Sequence, residues 1–177
     1  MPITIEWPPR ESQLAFNRQS WAQVVANSAL ANMPGKIETN RHGQLLMSPP
    51  PSGSHSTKQS RILRQLDRLL GGEPLVECPI STVDGVRSAD VGWYSKQRFE
   101  RVADQIAFEL APEICVEVVS PSNTKTELVE KRSLYFEAGA EEVWLCQQEG
   151  AIEIFLKDNP ATKAKRSSLC PHFPATI

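Results

Sequence analysis

Apolar residues along this chain fall into a few short unbroken runs and a few helical stripes. Ile114-Cys115-Val116-Glu117-Val118-Val119 and Val143-Trp144-Leu145-Cys146 are rich in β-branched and apolar residues and predict buried strands. Between them, Ser120-Pro121-Ser122-Asn123 has the composition of a turn. A helix-forming segment follows from about Lys125 to Ala138, stopped at Gly139. Strand, helix and strand with short connections predict a right-handed crossover between parallel strands. Upstream, Ile62, Leu63, Leu66, Leu69 and Leu70 recur at helical spacing in a segment, 54–70, that ends at Gly71-Gly72. Leu75 to Ile80 and Arg87 to Tyr94 read as strands about the Asp84-Gly85 turn, hence as antiparallel neighbours.

The flanking segments are less regular. Residues 1–34 open with Pro2, Pro8 and Pro9 and continue as a helix carrying Leu14, Phe16, Trp21, Val24, Val25 and Leu30, a segment suited to packing or dimerisation. Lys36 to Met47 reads as a hairpin about Asn40-Arg41-His42-Gly43. Ser48 to Ser54 is a rigid polar connector, and Gln97 to Leu110 an excursion before the central strand. Ala151 to Leu156 alternates as a half-exposed strand. The basic cluster Lys163-Ala164-Lys165-Arg166 reads as a solvated loop, and Pro171-His172-Phe173-Pro174 as an extended terminus pinned to the body. The fold class is therefore α/β. The order is helix (54–70), two hairpin strands (75–94), central strand (113–119), helix (125–138) and strand (142–146), an αβββαβ core with a mixed central sheet. An N-terminal helical extension, 1–35, precedes the domain of residues 36–177, which carries the extra β-hairpin.

Composition narrows the classes. A length of 177 residues suits one compact domain plus an extension, and 40% hydrophobic residues support a sizeable core. No apolar run approaches the roughly 18 to 20 residues of a membrane span, and no signal-peptide pattern opens the chain, so the expected location is cytoplasmic. Cys78, Cys115, Cys146 and Cys170 are scattered without a CxxC, which argues for small buried thiols over a zinc site. A net charge of −2 excludes a protein that coats nucleic acid, but not a nuclease with a local basic patch.

Two charges interrupt the apolar pattern. Glu117 lies within a core strand, where a lone carboxylate is costly unless paired or bound to a cation. Lys131 has Leu128, Leu134, Tyr135 and Ala138 at helical spacing, while Glu130, Ser133 and Glu137 share the opposite face. Arg132 also borders the apolar face. Lys131 admits two readings, a snorkelling stem with its ammonium in water or a partner of Glu117 in one cleft. Asp90, in the strand 87–94, is either an edge carboxylate or a second acid of that cleft. Glu38 is either an exposed strand carboxylate or a cleft residue. His55 and Gln59 extend the stripe of the helix 54–70 toward its N-terminus, where it turns polar. Two acids on neighbouring strands with a lysine nearby are what phosphodiester hydrolysis requires, since hard oxygens hold Mg²⁺ and an ammonium orients water.

With these residues in place the chain resembles the restriction-endonuclease-like superfamily named for its PD-(D/E)XK motif, and more closely the bacterial Uma two family within it. The resemblance rests on IETNRHGQLLMSPPPSGSH (37–55), TVDGVRSADVGW (82–93), the pattern SPSNT...E..EKR.LYFEAGA.EVWL (120–145) and a terminal S-L-C-P-x-F-P. It implies a Mg²⁺-dependent endonuclease acting on DNA, with Mn²⁺ as a substitute and a homodimer supplying two sites. The alternative is an inactive scaffold kept as a binding module. Asp90 and Glu117 match the two motif acids and would bind the metal, with the backbone carbonyl of Val118 as a third oxygen. The motif lysine is absent at Val119; Lys131 takes its place, with Lys125, in the turn, as the other candidate. Glu38, His55 and Gln59 match positions that support the cleft. Ala89 replaces the proline before the first acid, and Glu127 stands where the family often has Asp.

Overall fold

In the computed structural model, which describes residues 9–177, thirteen elements follow one another. They are α1 (Arg10–Ala26), α2 (Ser28–Ala31), β1 (Lys36–Thr39), β2 (Leu45–Ser48), α3 (Gly53–Leu70), β3 (Glu73–Thr82), β4 (Gly85–Tyr94), α4 (Lys96–Phe99), β5 (Ile114–Val118), α5 (Lys125–Glu137), β6 (Glu142–Cys146), β7 (Ile152–Leu156) and β8 (Asn159–Ala164). The expected prolines Pro2 and Pro8 lie outside the described residues. No helix among those described is long and apolar enough to cross a membrane.

The apolar runs of β5 and β6 form the centre of a six-stranded sheet in the order β3-β4-β5-β6-β7-β8. Only β5 and β6 run parallel, joined by α5; every other pair is antiparallel. All five residues of each central strand are buried, as expected where both sheet faces are covered. One core gathers Cys78, Ala89, Cys115 and Val143 against Tyr135 and Phe136 of α5. The other gathers Val91, Val116 and Trp144 against Ile62 and Leu66 of α3. β1 and β2 form a separate antiparallel hairpin. The α/β class, the mixed sheet and the extra hairpin are thus present.

Local chemistry explains the α5 boundaries. The Thr124 side chain accepts the Glu127 N–H while Glu127 reaches back to the Thr124 N–H, a capping box that satisfies two orphan donors. Gly139 ends the helix at φ 110°, a conformation open to glycine. Arg132 lies over the ring of Phe155, which accounts for a cation at the edge of the apolar face.

Three expectations need correction. Lys125 is the first residue of α5 and not part of the turn. The segment expected as a solvated basic loop contributes Lys163 and Ala164 to β8, because Asn159–Ala164 pairs with β7 and Lys163 bridges Glu153. In α1 the buried residues are Gln13, Asn17 and Trp21, whereas Phe16 and Val25 are exposed. The Asn17 amide donates to Ser81 Oγ at 3.0 Å and to the Thr82 carbonyl at 2.8 Å, so α1 is fastened to β3 by polar contacts. The C-terminus does pin to the body. Phe173 packs edge-on against Trp144, and Glu142 accepts from Trp144, Ser167, Ser168 and Leu169. All four cysteines are buried and free.

Candidate functional site

The β4 strand does not keep one face inward throughout. Residues two apart on a strand share a side, yet Ala89 packs in the α5 core and Val91 in the α3 core. The break falls at Asp90. Across the ladder, between the pairs Val76–Val91 and Cys78–Ala89, lies Glu77 with φ 48°, the only described residue besides glycines with positive φ. That left-handed backbone is unfavourable for a residue with a Cβ. The kink lets the Asp90 carboxylate leave the regular pleat at the end of the β4–β5 pairing.

Asp90 enters a cleft of about 550 Å³, lined also by Lys36, His55, Glu77, Glu117, Val118 and Lys131, and walled by Pro49–Pro51 and Ser120–Asn123. Asp90 is only 3% exposed. One oxygen meets the Lys36 ammonium; the other accepts the Val118 N–H at 2.7 Å and faces His55 Nε2 at 3.2 Å. Burial works to raise its pKa, but the His55 hydrogen bond, the Lys36 ammonium and the Val118 N–H outweigh it and hold Asp90 well below the usual carboxylate range. The same hydrogen bond raises the pKa of His55 despite its burial.

Glu117, on β5, is equally buried. Tyr135 donates to one oxygen at 2.5 Å and the Lys131 ammonium reaches the other at 3.3 Å. Burial pushes the Glu117 carboxyl up, with Asp90 and Glu38 adding to the effect, while Lys131 and Lys36 pull it back. Lys131 also lies 2.8 Å from Glu38. Burial would lower the Lys131 pKa, but Glu117 and Glu38 raise it. Its ammonium is inside, paired with two carboxylates, and the snorkelling reading does not apply.

Glu38 and Gln59 stand behind the lining of the cleft. Glu38 accepts the Ser88 N–H at 2.7 Å besides meeting Lys131. Gln59 donates to the Asp90 carbonyl at 2.7 Å and to Glu77 at 2.9 Å. Lys125 is exposed and makes none of these contacts. The arrangement brings together Asp90, Glu117, Val118, Lys131, Glu38, His55 and Gln59. It adds Lys36, Glu77 and Tyr135, which the sequence reading did not assign to the site.

A profile described as Uma2, "Putative restriction endonuclease", matches residues 25–174. The chain belongs to the Uma2 family. Among solved structures it is similar to "a putative nuclease belonging to DUF820 from Anabaena variabilis", at 18% identity over 82% of this chain and 91% of that one, with a TM-score of 0.64. That likeness concerns the fold. No curated protein matches.

The resemblance to the PD-(D/E)XK motif implies a metal, and the donor chemistry here can be tested against one. No group of three or more His, Cys, Asp or Glu among the described residues is arranged to hold an ion. The set in question is smaller, two carboxylates and the Val118 main chain in one cleft. The two carboxylates are hard oxygen donors, which suits Mg²⁺, an ion that keeps several waters and takes only one or two protein carboxylates. Burial and neighbouring acids disfavour the ionised form of Glu117, and a divalent cation would relieve that. On these grounds the residues fit.

Proposed function

We propose that this Uma2 protein is an endonuclease that hydrolyses phosphodiester bonds in DNA and depends on Mg²⁺, with Mn²⁺ able to replace it. The observation that carries this reading is the convergence of Asp90, Glu117 and the Lys131 ammonium, from β4, β5 and α5, on a single cleft. Asp90, Glu117 and the Val118 carbonyl would hold the cation. Bound there, it would supply Lewis acidity toward a phosphoryl oxygen and a water of lowered pKa.

The protein's own groups do the rest. Lys131 orients the attacking water and offsets negative charge that develops on the phosphate. Glu38 and Tyr135 fix the Lys131–Glu117 pair in position, while His55 and Gln59 brace Asp90 through its side chain and its carbonyl. Water adds to phosphorus, one P–O ester bond breaks, and a proton from the water ends on the departing sugar oxygen. A cytoplasmic homodimer would present two such clefts, one for each strand of a duplex.

The test is cleavage of DNA by the purified protein with Mg²⁺ and with chelator, beside Asp90→Ala and Lys131→Ala. Mg²⁺-dependent cleavage that both substitutions abolish supports the reading; equal background from all three proteins removes it. One observation favours a second reading, a nuclease scaffold retained as a binding module. Every carboxylate oxygen of Asp90 and Glu117 already meets a donor of the chain itself. That reading expects DNA binding with no cleavage under any metal.

A further inference from the structure

Lys36 is the one cation of the cleft that the proposed reaction leaves without a task. It opens β1, two residues before Glu38, so both side chains leave the hairpin on one face. Glu38 goes to Lys131, and Lys36 goes to Asp90. The Lys36 side chain is only 14% exposed. Its ammonium has three oxygen neighbours: Asp90 Oδ1, the Ser88 carbonyl at 2.9 Å and Glu77 Oε2 at 3.7 Å. The β3 backbone is locally distorted beside it, since Glu77 holds φ 48° opposite Asp90. A charge withdrawn this far from water needs such counter-charge. A cage of carboxylate and carbonyl oxygens is also the environment that a small divalent cation takes.

We propose that Lys36 is a built-in cation that reserves the Asp90 oxygen for a divalent ion. Metal loading displaces its ammonium from Asp90 into the adjoining cleft, where it becomes a contact for a substrate phosphate. This rests on the reading of Asp90 and Glu117 as the acids of a cation site. It gives the β1–β2 hairpin two roles, holding Lys131 through Glu38 and exchanging one cation for another through Lys36. Lys36 already lines the cleft, so the exchange needs a movement of the side chain alone.

The experiment is a calorimetric Mn²⁺ titration of the metal-free full-length chain as wild type, Lys36→Met and Lys36→Gln, with Lys163→Met as a surface control. Removing a positive charge beside the acids is expected to tighten Mn²⁺ binding by about tenfold or more, with the control unchanged. Binding to a DNA duplex in Ca²⁺ should weaken in both Lys36 variants, with a salt slope shallower by about one unit. In the wild type, the side-chain ammonium resonance of Lys36 should be protected without metal and lost on saturation with Mg²⁺, a readout that needs no variant. Equal or weaker Mn²⁺ affinity in the Lys36 variants overturns the proposal, as does the absence of Mn²⁺ binding by every protein. An unchanged ammonium resonance in saturating Mg²⁺ overturns the displacement, and an unchanged salt slope overturns the phosphate contact. Tightened Mn²⁺ binding in a protein that cleaves nothing would support Lys36 as the reserve cation while removing the nuclease reading.

Discussion

Asp90 on β4 accepts the main-chain N–H of Val118 on β5 at 2.7 Å. The first acid of the site is thereby fastened to the residue that follows the second acid in the chain. Regular β4–β5 pairing runs over Val91–Val116, Gly92–Cys115 and Trp93–Ile114. A side chain therefore continues the connection between the strands beyond the ladder.

The Lys131–Glu38 contact joins α5 to the hairpin, and its removal should be costly. Lys131→Met leaves Glu117 a buried acid without its ion-pair partner and leaves Glu38 only Arg87, at 4.0 Å, a loss expected to reach about 3–5 kcal/mol. Glu38→Gln removes one of those acids. Urea denaturation of both single variants and the double variant should give a coupling of about 1–3 kcal/mol. Additivity of the two changes would mean that the ion pair plays no part in fastening the hairpin.

Tyr135→Phe removes the hydroxyl that donates to Glu117 at 2.5 Å and nothing else. A buried acceptor that loses its donor costs about 1–3 kcal/mol, so the denaturation midpoint should fall with no change in m-value. A variant as stable as wild type would show that Glu117 finds its partners elsewhere.

Asp84 links the β1–β2 turn to the β3–β4 turn by accepting from Arg41 and Arg87. Burial works to raise its pKa, but the Arg41 hydrogen bonds and the Arg87 guanidinium outweigh this and lower it from 3.8. A carboxyl whose pKa is lower in the folded state stabilises above its unfolded value and loses that contribution as pH falls through the folded one. Thermal melts of Asp84→Asn should therefore lie below wild type at neutral pH, and the gap should close below pH 3.8. A gap that widens in acid would contradict the assignment.

The parts of the site that the sequence disclosed are charges breaking an apolar pattern. Glu117 interrupts a buried strand, and Lys131 sits on the apolar face of α5. Both departures are local, so a short window reveals them. The strand order about β5 and β6 was equally open to reading, since a turn, a helix and Gly139 dictate the crossover. Lys36 and Glu77 reach the site through non-local contacts. Lys36 meets Asp90 from 54 residues away, and its single local sign is the two-residue spacing from Glu38 on one strand face. The left-handed backbone of Glu77 has no signature in residue type, because glycine is the usual occupant of such a conformation. Tyr135 was visible as an apolar neighbour of Lys131, but the aim of its hydroxyl depends on tertiary packing. β8 escaped because Asn159–Ala164, with Pro160 and the polar or charged Asn159, Thr162 and Lys163, has an edge-strand composition without apolar alternation.

The central claim, that Asp90 and Glu117 are the acids of a divalent-cation site, is tested most directly by anomalous diffraction from crystals soaked in Mn²⁺. The account predicts one peak in the cleft within coordinating distance of both carboxylates and the Val118 carbonyl, absent from Asp90→Asn crystals. A peak away from these oxygens, or none at saturating Mn²⁺, would contradict it.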